Sequence, residues 1–440
     1  MGVIKPRFNL VSETADGIGF AIRLQDEGYP VRAWIRSPDA KSVGDNIIEK
    51  VGDFEDLLVD ADVASDVFIF DVSGNGVFAD YVRSQGFPVL GGSVLADRLE
   101  RDREFGASIM QRCGVEVPKT ISFTSFEKGI QHVQEHPETR WVYKPSKQLG
   151  DLSPSHVSYD AEDLIEMLQN ISKDVDIADP QFELQAFEKG IAFSTELWFQ
   201  NGEFIEPLTN HTLERKELMN EDVGPSGGCL GNIVWFCGGC RVCAIAKLLV
   251  PWARRQRYHG MLDLNVIVTP KGDVYGLEFT PRFGYDASPT LLWELVQGGL
   301  GTFFDAAARG RIGMLNLREG FAGAVRVTIP PWPTEKYTAE EGVPIRGIEP
   351  KVLERSTFWY NVKHDDSGNF QTAGAWGIVA LFTGHSTDPR RAVDKPLDVV
   401  RGLRLKNKQF RTDLAKQFTK DLETLDAAGV ELNVAVEHES

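Results

Sequence analysis

From residue 7 to about residue 121, short apolar runs alternate with amphipathic segments. The runs FNLVS, VRAWI, DVFIFD and FPVLGG predict strands, and segments such as DGIGFAIRLQDEG predict helices. Strands that alternate with helices in this way are typical of a parallel sheet covered by helices. The following stretch, ADRLERDREFGASIMQRCG, predicts one long amphipathic helix that ends at Gly114.

The middle of the chain predicts a small separate lobe, with a strand in RWVYKPS, a helix in AEDLIEMLQN and a strand in QFELQAFEKG. A hairpin follows in FSTELWFQNGEFIEPLTN, because Asn201-Gly202 between two alternating runs favours a type I′ turn. Next we expect a glycine-rich loop (EDVGPSGGCLGN), a helix (CAIAKLLVPWARRQR) and a second hairpin (MLDLNVIVTPKGDVYGLEFTPRF). Strands predominate after about residue 320, before a polar helix and an acidic tail.

The length and the changes of pattern indicate several domains. A chain of 440 residues is too long for one hydrophobic core. We expect an N-terminal α/β layer over residues 1–118, a small lobe over 119–190, a central lobe over 191–320 and a β-rich domain over 321–440. The fold class is therefore a multidomain mixture of α/β and α+β.

The charge of the chain restricts its partners. A formal charge of −17 opposes non-specific attraction to nucleic acids and to anionic lipids. The most apolar stretch, CAIAKLLVPWA, is interrupted by Lys247 and Pro251 and is too short to cross a membrane. The N-terminus shows neither a secretory nor a myristoylation signal. We expect a cytoplasmic protein with small-molecule substrates and no nucleic-acid or membrane partner.

The cysteines raise a separate hypothesis. Cys237, Cys240 and Cys243 form a C-x-x-C-x-x-C pattern, which is typical of zinc or iron-sulfur ligands. The sequence offers these three thiols no evident fourth ligand, and five cysteines are not a secreted disulfide framework. We therefore expect buried or free thiols in a reducing compartment. We expect His211 and His259 to be structural histidines.

The strand in GLEFTPRFGYD carries charges that packing alone does not require. A four-residue turn over residues 270–273 would pair Thr269 with Val274 and place Asp263 opposite Thr280. Glu278 and Arg282 would then share the face of Asp263, because side chains alternate along a strand. Two carboxylates so placed can hold one cation; the alternative is an ion pair of either acid with Arg282.

Other residues suit a nucleotide. Lys144 ends an apolar strand, and Arg103 lies on a helix face just before the small lobe, so both could contact phosphates. The segment FELQAFEKG, which includes Phe187, offers backbone groups to an adenine ring and a carboxylate to a ribose. The segment ADGIGFA indicates either a tight turn or an anion held at a helix N-terminus. The sequence contains no P-loop motif.

Several segments, in one order over nearly the whole chain, resemble the phosphoribosylamine-glycine ligase family of the ATP-grasp superfamily. They are ADRLERDREFGASIMQRCGVEVP, WVYKPS, FEKGIAFSTELWFQNGEFI, HTLERKELMNEDVGPSGGCLG, LEFTPRFG, FWYNVKHDDSGNF and FRTDL. The resemblance implies an ATP-grasp fold with an N-terminal Rossmann-like pre-ATP-grasp domain and a C-terminal β-rich domain. It also implies ATP and Mg²⁺ as cofactors.

The resemblance further implies roles for particular residues. Asp263 and Glu278 match the metal-binding acids, and Arg282 and Lys216 match catalytic residues that steady the substrate carboxyl group and the transferred phosphoryl group. The matches to ATP-contacting positions are Arg103, Lys144, Glu183, Phe187, Glu188 and Glu196. The matches to positions that hold the ribose phosphate of the amine substrate are Asp16, Gly17, Gly19, Ser226, Gly227 and Gly228.

The chain departs from the family at several places, one of which is the loop GPSGGCLG, an imperfect match to the family's loop. Thr280 stands where the family usually has Asn, and Ala192 stands where many relatives carry a ribose-binding Glu, for which Glu183, Glu188 or Glu196 could substitute. The segment KPSKQLGDLSPSH is poor in glycine where the family has a glycine-rich phosphate loop.

The implied function is ATP-dependent joining of glycine to 5-phosphoribosylamine through an acyl phosphate, in the course of purine biosynthesis. A ligase of the same architecture with other substrates, and a non-catalytic nucleotide-binding relative, remain alternatives. The oligomeric state would be a monomer or a small homo-oligomer.

Overall fold

The N-terminal part of the computed structural model contains a parallel sheet. The structure describes residues 5–145, 155–174, 180–284, 286–313, 315–334 and 336–430. Within the first of these ranges the sheet has the order β3-β2-β1-β4-β5, and every pairing is parallel. Its strands are β1 Arg7–Ser12, β2 Val31–Ile35, β3 Glu49–Lys50, β4 Asp66–Phe70 and β5 Val89–Leu90. Helices α1 Ile18–Asp26 and α2 Gly76–Ser84 lie between strands. The predicted Rossmann-like domain is confirmed, because this order is that of doubly wound sheets.

The long helix predicted to end at Gly114 is two helices. Helix α3 spans Val94–Arg101 and helix α4 spans Arg103–Arg112. Asp102 between them leaves helical geometry (φ −106°, ψ 88°), and its carboxylate accepts the Phe105 backbone N–H at 2.9 Å. The prediction of one helix was wrong because Asp is a strong N-cap and restarts the helix. As a consequence Arg103 begins the second helix and its guanidinium lies 3.5 Å from the Pro145 carbonyl.

The small lobe is an antiparallel sheet with the order β6-β9-β7-β8. Its strands are β6 Thr120–Phe123, β7 Trp141–Pro145, β8 His156–Val157 and β9 Phe182–Ala186, and its helices are α5 Phe126–Glu135 and α6 Ala161–Asp174. Trp141, Tyr143 and Phe182 form a core with Leu164 and Leu168 of α6. The predicted strand, helix and strand of this lobe are confirmed.

The central sheet is antiparallel and has the order β15-β14-β10-β12-β13-β18-β22-β19, with β11 beside β10. Short pairs β16–β17 and β20–β21 lie outside it. The strands are β10 Ile191–Gln200, β11 Glu203–Phe204, β12 Asn210–Met219, β13 Val223–Phe236, β14 Gly260–Val268, β15 Val274–Phe279, β16 Val296–Gln297, β17 Asn316–Leu317, β18 Phe321–Thr328, β19 Thr357–Trp359, β20 Val362–His364, β21 Phe370–Thr372 and β22 Ile378–Ser386. Residues 231–235 pair with residues 321–325, so the sheet continues across the predicted domain boundary at residue 320.

Two segments in this region differ from their predictions. The expected glycine-rich loop is the first part of β13, paired with β12 through two register shifts, and Gly224 and Gly228 there have positive φ. Glycines that tolerate such dihedrals let an irregular strand follow its partner. The single helix expected after it is α7 Arg241–Lys247 and α8 Val250–Arg255, since Pro251 begins a new helix near its first position.

The remaining helices cover the central sheet and complete the C-terminal part. They are α9 Ala287–Glu294, α10 Leu300–Ala308, α11 Pro350–Arg355, α12 Pro389–Gly402 and α13 Leu414–Ala427. Among the described residues, none of the helices combines the length and the hydropathy that a membrane span needs.

Helix α1 joins the N-terminal domain to the rest of the molecule through Phe20. The Phe20 ring is 4.9 Å from the ring of Phe358 and 5.2 Å from that of Phe283, centroid to centroid. Each such aromatic pair contributes about 0.5–1.5 kcal/mol beyond the area it buries. A Cβ on Gly19 would stand 2.7 Å from the Phe358 ring, so Gly19 permits this close packing.

The second hairpin reaches its predicted register by a different path. Val268, not Thr269, pairs with Val274, so the turn holds one residue more than expected. A bulge then inserts Leu277, and Asn265 pairs with Glu278. The two changes cancel, so that Asp263 lies opposite Thr280 as predicted, with the Thr280 N–H 2.9 Å from the Asp263 carbonyl. Strand β15 is at the edge of the sheet, where bulges are most common.

Candidate functional site

Asp263 and Glu278 lie on one face of the β14–β15 hairpin. The Thr280 hydroxyl donates to Oδ2 of Asp263 at 2.7 Å and receives a hydrogen bond from the Asn265 amide at 3.0 Å. Oδ1 of Asp263 is buried and has no hydrogen-bond partner among the described residues. Burial raises the pKa of Asp263 to about 6, although the Thr280 hydrogen bond opposes the shift. Both predicted metal acids therefore face the same space.

This donor set fits a magnesium ion. Mg²⁺ prefers carboxylate oxygens and usually takes one or two of them together with substrate phosphates. The buried, unpartnered Oδ1 of Asp263 supplies one such oxygen, and a cation would offset the cost of its burial. The Thr280 hydroxyl donates to the other Asp263 oxygen, Oδ2. Thr280 is at the position where the family that the sequence resembles usually has Asn.

Strand β12 adds Lys216 and Glu214 to this face. Together with Glu278 and Asn265 they line a cavity of about 360 Å³. Burial raises the pKa of Glu214, and the Lys216 charge opposes it. Lys216 is an exposed position of this strand, and the carboxylates of Glu214 and Glu278 raise its pKa overall. Glu214 was missed by the sequence analysis, although its position two residues before Lys216 on a strand puts both side chains on one face.

The small lobe contributes Lys144 across from the central sheet. Burial lowers the pKa of Lys144, while the nearby carboxylate of Glu278 opposes this and the charge of Arg103 adds to it. Burial raises the pKa of Glu183, which pairs with Lys144 in the sheet, and the charges of Lys144 and Arg103 oppose the shift. The charges of Lys144, Arg103 and Glu183 in the small lobe thus act on one another, and Glu278 of the central sheet acts on Lys144.

The other predicted nucleotide contacts differ in their positions. The Phe187 backbone N–H already donates to the Arg140 carbonyl at 2.8 Å, and the Arg140 guanidinium lies 4.0 Å from the Phe187 ring centroid. This hydrogen bond commits the Phe187 N–H to the lobe itself and away from an adenine ring. Glu188 is half-buried near the Tyr275 hydroxyl.

Glu196 is inside the sheet. Its carboxylate accepts hydrogen bonds from the Trp198 indole at 2.7 Å and from the Asn210 amide at 3.2 Å. Burial and the neighbouring Asp263 raise the pKa of Glu196 to about 8. The structure therefore does not support a ribose contact by Glu196, whereas Glu183 and Glu188 remain predicted candidates.

Arg282 has an ion-pair partner outside the second hairpin. Its guanidinium pairs with Glu100 of α3 at 3.2 Å. The Arg282 charge nevertheless acts on Asp263, Glu214 and Asp16, since it lowers the pKa of each against the effect of burial. The Arg282 charge thus acts on these three carboxylates in addition to Glu100, with which it pairs directly.

The turn before α1 holds a carboxylate of the chain itself. The Gly17 N–H and the Ser12 hydroxyl each donate to Oδ2 of Asp71 at 2.6 Å. A Cβ on Gly17 would stand 2.8 Å from the Asp71 side chain, so only glycine permits this approach. Asp71 therefore occupies the anion position predicted for a ligand at this helix N-terminus. Asp16 beside it accepts from the Thr14 hydroxyl.

Asp71 gives a testable dependence of stability on pH. Burial and the neighbouring Asp16 raise its pKa from 3.8 to about 7. A carboxyl group whose pKa is raised by folding contributes most to stability below pH 3.8, where it is protonated in both states. That contribution to the free energy of unfolding is lost as the pH rises to about 7. Asp71→Asn should therefore become more stable relative to wild type by up to about 1.4 kcal/mol per pH unit over this window, and then level off. The measurement is the thermal midpoint of both proteins from pH 4.5 to pH 8.

The control for this prediction is Asp53→Asn, which changes an exposed carboxylate of the same domain. Its difference from wild type should not vary with pH. A constant difference for Asp71→Asn as well would show that Asp71 is ionised in the folded protein throughout.

A buried ion pair lies next to Gly227, one of the predicted substrate contacts. Arg326 binds Asp286 at 2.6 Å, and both side chains are almost fully buried. The Tyr360 hydroxyl donates to Asp286 at 2.6 Å, and Arg326 donates to the Gly227 carbonyl at 3.3 Å. Gly227 is thus buried by Arg326, whereas Ser226 and Gly228 are exposed. Arg326 was missed, yet a charge within the apolar strand FAGAVRVT is the same signal that identified Glu278.

Cys237 and Cys243 depart from the expectation of buried or free thiols, whereas Cys229 and Cys240 are buried thiols as expected. Cys237 and Cys243 form a disulfide, with their Cα atoms 6.3 Å apart. Sγ of Cys240 lies 3.2 Å from Nε2 of His211, which comes from β12. His211 is therefore the nearby histidine that the sequence did not reveal.

The parallel N-terminal sheet, the small antiparallel lobe and the central antiparallel sheet together make an ATP-grasp fold. Phosphoribosylamine-glycine ligase from Thermotoga maritima shares this fold with a TM-score of 0.70 and 19% identity, over 92% of this chain and 99% of that chain. The biotin carboxylase domain of 2-oxoglutarate carboxylase from Hydrogenobacter thermophilus, in complex with MgADP and bicarbonate, shares it with a TM-score of 0.65 and 14% identity, over 96% of this chain and 98% of that chain. The predicted ATP-grasp fold is confirmed.

A curated relative carries the same likeness in sequence. The bifunctional purine biosynthetic protein PUR2,5 of Pichia angusta is 24% identical over an alignment of 357 residues that covers 78% of this chain and 44% of that protein. The chain thus spans less than half the length of this relative. No family model matches the sequence. The resemblance to phosphoribosylamine-glycine ligase predicted from the sequence is confirmed by these two likenesses.

Proposed function

We propose that the protein is an ATP-dependent carboxylate-amine ligase that joins glycine to 5-phosphoribosylamine, giving glycinamide ribonucleotide, ADP and phosphate. The observation that carries the proposal is the cavity lined by Lys216, Glu214 and Glu278 of the central sheet, whose Glu278 and Lys216 charges also act on Lys144 of the small lobe. The likeness to phosphoribosylamine-glycine ligase selects the substrates. A cytoplasmic location, and a monomer or small homo-oligomer, belong to the same proposal.

The reaction has two steps. A glycine carboxylate oxygen attacks the γ-phosphorus of ATP and the bond to the β-phosphate oxygen breaks, which gives an acyl phosphate and ADP. The amine then attacks the acyl carbon, phosphate leaves, and the nitrogen loses a proton. Phosphoryl transfer of this kind depends mainly on positioning and on charge neutralisation, so cationic side chains and paired acids suffice without a protein nucleophile.

The residues divide this work by position. Lys144 and Arg103 would neutralise the nucleotide phosphates from the small lobe, and Lys216 would do so from the central sheet. Arg282 would orient the glycine carboxylate. Asp263 and Glu278 would hold Mg²⁺, which neutralises phosphate charge when bound.

A ligase of the same architecture with a different amine is the second candidate. The observation that favours it is the acidic turn before α1, where Asp71 already accepts the Gly17 N–H and Asp16 lies beside it. A substrate phosphate would meet two carboxylates there. An amine that carries a positive charge and no phosphate would meet a favourable field instead.

The test of the proposal is ADP release by the purified protein with ATP and Mg²⁺. We expect release only when glycine and freshly generated phosphoribosylamine are both present, because the acyl phosphate discharges to the amine. Each substrate alone is the control. Release with glycine and another amine in a panel would favour the second candidate. Binding of ATP with no release under any condition would favour a non-catalytic relative.

A further inference from the structure

Three cysteines and a histidine converge at the junction between β13 and α7. Cys237 and Cys240 lie between the end of β13 and the start of α7, and Cys243 lies within the first turn of α7. His211 comes from β12, where it pairs with Trp235 of β13. Ligand atoms of His211, Cys237 and Cys240 all lie within 4.8 Å of one another, and Cys243 is bonded to Cys237.

The surroundings already orient these groups. Nδ1 of His211 lies 2.8 Å from the Thr195 hydroxyl, which fixes the ring and directs Nε2 toward Cys240. An outer hydrogen bond of this kind is typical of metal-binding histidines. The Cys243 backbone N–H donates to Sγ of Cys240, and the Cys237 N–H donates to the Thr209 carbonyl at 2.8 Å. Cys237 is partly exposed, so the cluster is open to solvent on one side.

We propose that the reduced chain binds one Zn²⁺ through Sγ of Cys237, Cys240 and Cys243 and Nε2 of His211, and that the disulfide form is its metal-free counterpart. Three thiolates and one imidazole are a standard tetrahedral set for structural zinc. With Zn–S near 2.3 Å and Zn–N near 2.0 Å, the ligand atoms of such a site are about 3.5–3.8 Å apart. Among His211, Cys237 and Cys240 the separations require changes of about 1 Å or less, and the sulfur atoms of Cys237 and Cys243 move apart once the bond between them is broken.

Conversion between the two forms is a thiol-disulfide exchange. A dithiol reductant attacks the Cys237–Cys243 bond, which breaks to give two cysteine thiols, and the reductant leaves as a cyclic disulfide. Zn²⁺ then replaces one proton on each of the three thiols, while His211 binds as the neutral imidazole.

This site is separate from the proposed ATP chemistry. Asn210 and His211 are consecutive on β12, so their side chains point to opposite faces of the sheet. Asn210 contacts Glu196, which lies on the same face of the central sheet as Asp263. The cysteine cluster therefore lies on the opposite face of this sheet. All four ligand positions are supplied by the protein, so the ion would link β12, β13 and α7 and would have no open position for a substrate.

Co²⁺ binding to the full-length chain tests the proposal, because thiolate ligation gives charge-transfer bands that carboxylate ligation at Asp263 does not. We expect one equivalent of Co²⁺ with these bands, displaced by one equivalent of Zn²⁺, after reduction with a dithiol and its removal under argon. The same protein with the disulfide intact should show no such bands. Bound Zn²⁺ should also protect three thiols from alkylation.

Cys240→Ser separates a ligand from a structural cysteine. Serine keeps the cap at the start of α7, so the variant should fold, yet its metal affinity should fall more than about 100-fold. Cys243→Ser should behave in the same way, and Cys113→Ser, which changes a cysteine outside the cluster, should bind like wild type. The proposal is overturned if reduced wild type shows no charge-transfer bands, or if Cys240→Ser and Cys243→Ser both keep wild-type affinity.

Discussion

Asp263→Asn should lower ADP release at least about 1000-fold while the fold remains intact. The carboxylate has one oxygen held by Thr280 and one buried oxygen without a partner among the described residues. The neutral amide of asparagine does not offer a charged oxygen to a cation. Loss of one positioned electrostatic group typically lowers the rate by about 100–1000-fold. Loss of the metal that this group helps to hold would add to the effect.

Stability should change little in this variant. The substitution removes a buried carboxylate whose pKa is raised to about 6. The free energy gained because this charge is no longer buried offsets the cost of burying the amide group that replaces Oδ1. The assay is ADP release under saturating ATP, glycine and amine, together with the thermal midpoint. Asp273→Asn, an exposed acid in the turn of the same hairpin, is the control and should keep wild-type activity. An active Asp263→Asn would remove this residue from the metal site.

Arg326→Met should destabilise the protein by about 3–5 kcal/mol. Asp286 would lose its buried cationic partner and keep the Tyr360 hydroxyl, and an uncompensated buried carboxylate is costly. We expect the thermal midpoint at pH 7 to fall by about 6–20 °C, as this loss implies for a domain of about 150–250 residues.

Two further proteins make this test specific. Arg401→Met breaks an exposed ion pair with Asp398 and should cost less than about 1 kcal/mol. The double variant Asp286→Asn with Arg326→Met should be more stable than Arg326→Met alone, because it leaves no buried charge. If the single change costs no more than Arg401→Met, then Asp286 reaches water and the pair is not a buried one.

The second hairpin shows how far local patterns go. Alternation and turn signals predict that Asp263, Glu278 and Thr280 share one face, and the structure confirms this arrangement. The prediction succeeded although the turn and the ladder each differ by one residue, because the buried face of a strand fixes its register. The helix break at Asp102 was missed because one capping residue can interrupt a continuous amphipathic pattern.

The sequence by itself determined most of the strands and helices and the placement of Asp263 opposite Thr280 on β14 and β15. These features depend on residues close together in the chain, whose periodicity and turn preferences are readable directly. Only the tertiary structure decided the contacts of Asp71 with Gly17, of Arg282 with Glu100 and of His211 with Cys240. Each joins groups 29 to 182 residues apart, and such contacts follow from how sheets and helices pack, which no local pattern specifies.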